Sequence, residues 1–546
     1  KYVKIHIWLK NGDIVMDEET NRKLLARRRF LSGVAMGSAA SAMISPWQGS
    51  AYAATPRFVN DPFSLGVASG DPTSDGFVLW TRLAPNPYDA ESGLTDLIEV
   101  GVEIAEDLAF TRIVRRQTEI ARPDLNHSVH AEIYGLPPAR HYFYRFKVGL
   151  LVSPVGRVAT APLLGSNLER FKFAWHSCAH YEQGFYTAYG DMAAQNPDLI
   201  LSLGDYIYET SWGPQVRRMP IDEAWSLADY RLIHSVTKTD KDLQTAHAAC
   251  PWVFIWDDHE VANDYQGDVG KVVAGFTPAD FPTRKRNAYQ AFFEHLPLRR
   301  RSMFTAANRM RIYGQVNYGN LVEFNLLDTR QYRARAACAN EGRYEAQLVS
   351  RATCTELQDA NRSILGAQQE RFFNDNMMRG TTKWSVLVQP TLFGTLNQKD
   401  NRGDAVAYND GWGAFEPARQ KIIENIRRRN DKASCVVIGG DIHAFFAGEV
   451  KMDYANPASQ SVAVEFVGGS ITSKSFSYER FMAMLPDNPQ FKFFDDRTNG
   501  YGLAEISPTR MDVKLRHTPS TWRRDAGFSN LKHYVVEKGA NSLTEA

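Results

Sequence analysis

Four short apolar segments, each running straight into metal-ligating residue types, constrain this chain more than any other feature. Phe171-Lys172-Phe173-Ala174-Trp175 leads into His176-Ser177-Cys178-Ala179-His180, and Leu199-Ile200-Leu201-Ser202-Leu203 leads into Gly204-Asp205-Tyr206-Ile207-Tyr208-Glu209. Trp252-Val253-Phe254-Ile255-Trp256 leads into Asp257-Asp258-His259-Glu260-Val261-Ala262-Asn263-Asp264, and Cys435-Val436-Val437-Ile438 into Gly439-Gly440-Asp441-Ile442-His443. Apolar runs of this kind read as strands buried on both faces, so each needs a layer of structure on either side. In α/β folds ligands gather at the carboxyl ends of strands, where loops bring side chains to one edge. Each end alone is weak. A Gly-Asp after a strand is often only a turn, a buried Cys is usually inert, and a lone His is more often hydrogen-bonded scaffold than ligand. Two adjacent aspartates at the end of a buried strand are harder to dismiss, because their repulsion needs an opposing charge. Four such ends together predict a polynuclear metal site.

The rest of the chain sorts around this pattern. Lys383-Trp384-Ser385-Val386-Leu387-Val388 is a further apolar strand, and helices are expected over Arg284–His295, Gly366–Met378 and Pro417–Arg429. Residues 166–510 thus read as an α/β layered domain. From Phe58 to about Pro162 the grammar differs: Phe77-Val78-Leu79-Trp80 follows a turn, and Ile98–Ile104 alternates with period 2 as a half-buried strand does. Gly135–Phe146 joins a Pro-rich corner to a Tyr/Phe strand, like the corner of a fibronectin-type sandwich that a Tyr hydroxyl pins. Residues 54–165 are therefore expected to form a small β-sandwich, with His127 and His130 as surface or strand residues. Residues 511–546 are more polar and are expected to be a tail packed on the surface.

Hydrophobic residues make up 44% of the 546 positions, which excludes a disordered chain. The N-terminus reads as an address. Arg27-Arg28-Arg29-Phe30-Leu31 followed by a mildly apolar Gly/Ala/Ser stretch is the pattern of a twin-arginine export signal, and Ala51-Tyr52-Ala53 supplies small residues at the two positions a signal peptidase reads. Ser38, Ser41, Ser45, Pro46 and Gln48 interrupt the stretch before the roughly 18 clean residues that a membrane span needs. Residues 1–53 are expected to be this leader, with Met16 a candidate start, and the exported chain to be periplasmic or secreted. The leader holds eight of the 63 Lys+Arg and four of the 62 Asp+Glu, leaving 55 against 58. Such a balance gives no reason to expect a nucleic-acid surface. Five cysteines are an odd number for an exported protein. Cys338 and Cys354, in one polar insertion, are the candidate disulfide, while Cys250 and Cys435 sit beside buried strands.

The Ser-Cys-Ala-His, Gly-Asp-Tyr-Ile-Tyr-Glu, Trp-Asp-Asp-His-Glu and Gly-Asp-Ile-His segments, with Asp61-Pro62-Phe63-Ser64-Leu65-Gly66-Val67-Ala68-Ser69-Gly70-Asp71-Pro72 ahead of them, resemble the PhoD-type alkaline phosphatases of the calcineurin-like metallophosphoesterases. The resemblance covers essentially the whole chain after the leader. It implies a two-sheet αββα catalytic domain behind a small N-terminal β domain, and Fe(III) and Ca²⁺ as cofactors. It also implies Cys178 and Tyr208 as Fe(III) ligands, Asp205 as a bridging carboxylate, and Asn263, Asp441 and His443 completing the cluster. Thiolate and phenolate suit a trivalent ion, and carboxylate and amide oxygens suit Ca²⁺. The wider superfamily has Asp-x-His first and Gly-Asn-His-Glu third, where this chain has Ser177-Cys178-Ala179-His180 and Asp257-Asp258-His259-Glu260. Asp258 is accordingly either a direct ligand or a partner of one, and His259 is the candidate for steadying the transferring group or protonating the leaving oxygen.

The reaction expected is hydrolysis of phosphate esters by activated water, with no Gly-x-Ser-x-Gly elbow to suggest a covalent intermediate. Arg330, in Asp328-Thr329-Arg330, is expected either to grip a phosphate oxygen or to form a structural ion pair. The expected partners are phosphate esters and the twin-arginine machinery, and the expected state is a monomer. Two other readings stand beside it: a phospholipase-D-like phosphodiesterase, and a non-catalytic secreted protein that attaches to a surface.

Overall fold

The computed structural model describes residues 58–272, 275–303, 309–340 and 345–546, with the backbone of two short strands, Trp8–Lys10 and Asp13–Val15. Residues 1–52 form a first unit and 53–546 a second. The twin arginine and the cleavage site lie outside the described residues. Among those that are described, no helix is long and apolar enough to cross a membrane.

The four site-bearing strands form as the sequence predicts. They are Phe171–His176 (β1), Leu199–Ser202 (β2), Trp252–Phe254 (β3) and Ser434–Gly439 (β4). β1, β2 and β3 pair side by side in parallel at the centre of a ten-stranded sheet. β4 lies at the centre of a seven-stranded sheet, parallel to Trp384–Val388 and Ser461–Gly468. Parallel central strands point their carboxyl ends the same way, which is how four loops far apart in sequence reach one edge.

Side-chain alternation explains the layering. Val436 and Ile438 of β4, with Val386 and Val388 beside them, share a core with Phe173 and Trp175 of β1. The alternate residues Cys435 and Val437, with Leu387, enter a second core with Phe373, Met377, Ile422 and Ile426. Those last four belong to helices Gly366–Arg379 and Glu416–Arg429, which therefore cover the outer face of the smaller sheet. Phe173 and Phe324, from different sheets, meet edge to face at 5.0 Å between ring centroids. Helices Thr187–Ala194, Leu227–Lys238, Lys241–Ala249 and Phe281–His295 supply the remaining cover of the larger sheet. The result is a mixed α/β fold with several sheets.

Three expectations need correction. Residues 511–546 are no surface tail: Arg510–Thr518 and Ser529–Glu537 are nine-residue strands in the ten-stranded sheet, paired antiparallel to each other and, through the first, to Asn499–Ile506. Their polar residues occupy the half-exposed face, which made the segment read as a tail. The N-terminal strands do pack as two facing sheets around one core that includes Phe77, Leu79, Val100, Val102, Tyr144 and Phe146, but one of those sheets continues into the larger one. Ile98–Ala105, Ile113–Ala121 and His141–Val148 belong to a separate five-stranded sheet, but Val67–Thr73, Gly76–Arg82 and Ser128–Ile133 extend the ten-stranded one. Finally, Thr160 rather than a tyrosine holds the Pro-rich corner: its Oγ1 donates to Pro137 O at 2.7 Å and accepts from Arg140 N at 3.0 Å. His127 and His130 are both buried, the latter within its strand.

Candidate metal centre

The four strand ends do converge. Cys178, Asp205, Asp441 and His443 all adopt left-handed backbone conformations, with φ of 58°, 52°, 66° and 52°. For a non-glycine residue this costs about 1–2 kcal/mol each, a strain that concentrates where side chains must be aimed. Close loop packing adds to the constraint. Gly204 has φ 113°, and a Cβ there would lie 2.4 Å from Asp257 N. A Cβ on Gly440 would lie 2.3 Å from Ser177 Oγ.

Glu260 ties two of the loops together. Its carboxylate accepts from the backbone N–H of Asp205 at 3.0 Å, Tyr206 at 2.6 Å and Asp257 at 2.9 Å. Burial, as the dominant influence, pushes Glu260 up to about 7. Glu209 performs the same service on the other side, taking the N–H of Asn263 at 2.7 Å and His259 Nδ1 at 2.7 Å. Asp258 Oδ2 accepts from Asp264 N at 2.6 Å.

Two groups of ligand atoms result, each within 4.8 Å: Cys178, Asp205 and His443, and Asp205, Asp258 and His259. Asp205 belongs to both. Tyr208 Oη lies 3.1 Å from Asp205 Oδ2 and 3.0 Å from His443 Nε2, and accepts from Ser473 Oγ at 2.8 Å. His443 presents Nδ1 to the carbonyl of Lys474 at 2.9 Å. This fixes the tautomer with Nδ1–H donating and turns the Nε2 lone pair toward the group, the arrangement of a ligating imidazole. Burial drives His443 down to about 4, so it stays neutral. Its ring is stacked between Trp212 and Phe476, at 6.2 and 5.4 Å between centroids.

The electrostatics call for a cation. Burial, followed by the repulsion of Asp258, Asp257 and Glu260, pushes Asp205 far above the usual carboxylate range, against the pull of His259. Burial and Asp205 raise Cys178 and Tyr208 well above their ordinary values, and burial with Asp257 does so for Asp441. Among the described residues Asp205 Oδ1 and Asp257 Oδ2 are buried without a hydrogen-bond partner. Buried acids left unpaired are costly, and a polyvalent ion bound by thiolate, phenolate and carboxylate would relieve all of them together. The residues present fit such a group.

Asp258 and His259 behave differently. Burial works against both charges. Arg330, His259 and the N–H of Asp264 outweigh it for Asp258, which falls to about 2. For His259 the carboxylates of Glu209, Asp258 and Asp205 win, and the imidazole is held as a cation. With Nδ1 on Glu209, its Nε2–H is left free to donate.

Of the expected carboxylate ligands Asp441 falls outside the tight groups. Asp441 sits close enough to Asp257 and Asp258 to feel their charge, yet its carboxylate joins neither group. Asn263 Nδ2 donates to Asp264 Oδ2 at 2.7 Å, leaving its amide oxygen as the atom available to an ion. Arg330 takes the second of its two expected roles, a structural ion pair, and not substrate binding. Its guanidinium is wholly buried, hydrogen-bonded through Nε to Asp257 and through Nη1 to Asp410 at 2.8 Å, with Nη2 in ion-pair contact with Asp410 at 2.8 Å and Asp258 at 3.8 Å. It braces the aspartates from below rather than gripping phosphate. Glu209 and Glu260 stood inside quoted motifs without a role. Asp410 and Ser473 come from irregular loops in which nothing in the sequence marks them.

Cys338 and Cys354 are joined in a disulfide, with Cα atoms 5.9 Å apart, and Cys178, Cys250 and Cys435 are buried and free.

Residues 173–515 match the family described as PhoD-like phosphatase, and residues 49–162 its N-terminal domain. Alkaline phosphatase D of Bacillus subtilis (strain 168) is 37% identical over 544 residues, covering 96% of this chain and 90% of that protein. A solved structure described as that of PhoD is 38% identical and superposes with a TM-score of 0.83, over 90% of this chain and 93% of that one.

Proposed function

The chain belongs to the PhoD-like phosphatase family, and on that premise we propose that it is an exported, metal-dependent alkaline phosphatase that hydrolyses phosphate monoesters and diesters by direct attack of water. The observation that carries this reading is Asp205, shared by two groups of ligand atoms and left with an orphaned oxygen. On this reading the two facing sheets and their helices are the layers of a metallophosphoesterase αββα sandwich.

Cys178, Tyr208, Asp205 and His443 would hold Fe(III), and Asp205, Asp258, Asn263 and Asp441 would hold Ca²⁺. A bound centre of that kind supplies charge neutralisation at the phosphoryl oxygens and makes a water more acidic. The chain supplies positioning and a proton. Glu260 fixes the backbone that aims Asp205, while Trp212 and Phe476 keep His443 from turning. His259, kept cationic by Glu209, donates from Nε2 to the departing alkoxide and takes the proton back from solvent. Phosphoryl transfer has little covalent chemistry for a protein to perform, so electrostatics and alignment carry most of the acceleration. The enzyme acts as a monomer after twin-arginine export.

The test is turnover of 4-nitrophenyl phosphate and bis-4-nitrophenyl phosphate, with elemental analysis of the same preparation. The reading expects hydrolysis of both, bound iron, and a visible charge-transfer band that Tyr208→Phe removes. Absence of turnover with either ester in the metal-loaded protein would defeat it.

A further inference from the structure

The loop that holds His443 also forms the wall of a second space. Lys474 offers its carbonyl to His443 Nδ1 and its own N–H to Gln183 Oε1 at 2.7 Å. Two residues later Phe476 lies parallel to the His443 ring, at 3° and 5.4 Å, yet remains 68% exposed. Phe476, Lys474, Tyr478, Arg497 and Trp522 line one cavity of about 650 Å³, and Trp522 is 54% exposed within that rim. Ligand sites commonly occupy some 300–1,000 Å³ and combine apolar walls with a few placed polar groups. Arg497 is already committed, bonded to Asp495 at 2.7 Å and lying over the Tyr478 ring at 4.3 Å. Lys474 Nζ makes no hydrogen bond or ion pair among the described residues, so the cavity, whose lining also carries Glu479 and Asp496, keeps a free cation on the residue whose backbone holds His443.

We propose that this cavity receives the leaving alcohol of the substrate and selects one that carries a planar ring, as an aryl or nucleoside ester does. The proposal rests on the phosphatase reading and extends it to substrate class. Two exposed aromatic faces gain little from a polyol, which keeps its water, but gain both dispersion and desolvation from a ring laid against them. Adjacency to His443 sets the geometry: Lys474 holds its Nδ1 and Phe476 lies along its ring, so an ester whose phosphoryl group sits at the metal-ligand cluster extends its organic arm past these two residues into this cavity. Lys474 draws the anionic ester toward it.

The experiment compares kcat/KM for phenyl phosphate, a nucleoside 5′-monophosphate and glycerol phosphate in the metal-loaded parent, Trp522→Ala, Trp522→Phe and Leu150→Ser. Leu150, at an exposed hairpin tip, serves as the control. Using each variant's ratio of ring ester to glycerol ester cancels general losses of activity. Trp522→Ala should lower that ratio about tenfold or more, as loss of a stacked base does. Trp522→Phe should retain most of it, and Leu150→Ser should leave it unchanged. A fall confined to phenyl phosphate or to the nucleotide identifies which ring the cavity takes, and either supports the proposal. An unchanged ratio in Trp522→Ala with normal turnover overturns the proposal and leaves the phosphatase reading intact. Absence of turnover of all three by the parent removes both.

Discussion

Replacing Arg330 by Met tests whether the aspartate pair beneath the site is held by this one cation. The side chains are of similar length, so the change removes charge and hydrogen bonds more than volume. Asp410 would keep Arg333, whose Nη1 donates to it at 2.7 Å, but Asp257 would lose its only side-chain partner among the described residues. Breaking a buried ion pair from one side costs about 3–5 kcal/mol, because the abandoned charge stays desolvated. An unfolding entropy of roughly 2.1 cal/mol/K per residue, over residues 53–546 acting as one unit, is about 1 kcal/mol/K, so Tm should fall by about 3–5 °C. The sign with pH follows from Asp257, which burial already raises to about 6 against Arg330's opposing pull. In Arg330→Met its folded pKa rises further above the unfolded value, so the penalty is full at high pH. The penalty shrinks as pH falls through the new folded pKa. Asp257→Asn in the same background should recover part of the loss. The assay is urea and thermal unfolding of metal-saturated protein at pH 8 and pH 5. A Tm change below about 1 °C, a penalty that grows at pH 5, or no rescue by Asp257→Asn would refute the reasoning.

His259→Asn should lower kcat on alkyl phosphates by about 10²-fold or more, and much less on 4-nitrophenyl phosphate, whose leaving group needs no proton; equal losses on both would remove His259 as the acid. His130 is buried against Phe293 at 4.2 Å, donates Nδ1–H to Leu298 O at 3.1 Å, and is driven by burial down to about 4. Its neutral form therefore adds stability above the unfolded pKa near 6.5, and this is lost by about 1.4 kcal/mol per pH unit as pH falls toward 4. His130→Phe should cost about 1 kcal/mol at pH 7 through the lost hydrogen bond and should be the more stable form at pH 5. Urea midpoints at the two values check it, and a gap that does not change with pH would contradict it.

What could be read from the sequence was local. Apolar runs in Leu199–Ser202 and Ser434–Gly439 announce strands, and the residue types that follow them announce ligands, because both signals are contiguous in the chain. The meeting of Cys178, Asp205, Tyr208 and His443 was therefore legible. Their supports were not. Arg330 could be read either way until Asp410, 80 residues on, was seen to meet it. Ser473 reaches Tyr208 across 265 residues from a loop with no pattern of its own. The C-terminal strands were misread because a sheet with one half-exposed face carries enough polar residues to look like a tail. The N-terminal sandwich was legible but its continuation into the larger sheet was not, because sheet continuity is a property of pairing rather than of the strands themselves. Val67–Thr73 reaches β3 through the single register pair Gly70 and Trp252.

The central claim is that buried ligands from four strand ends hold metal that the hydrolysis requires. The most direct measurement is phosphatase activity of the folded protein stripped by chelator and then titrated with Fe(III) and Ca²⁺, with unfolding followed in parallel. The account predicts that activity disappears while the fold remains, and returns in step with bound metal. Full activity in metal-free, folded protein would contradict it.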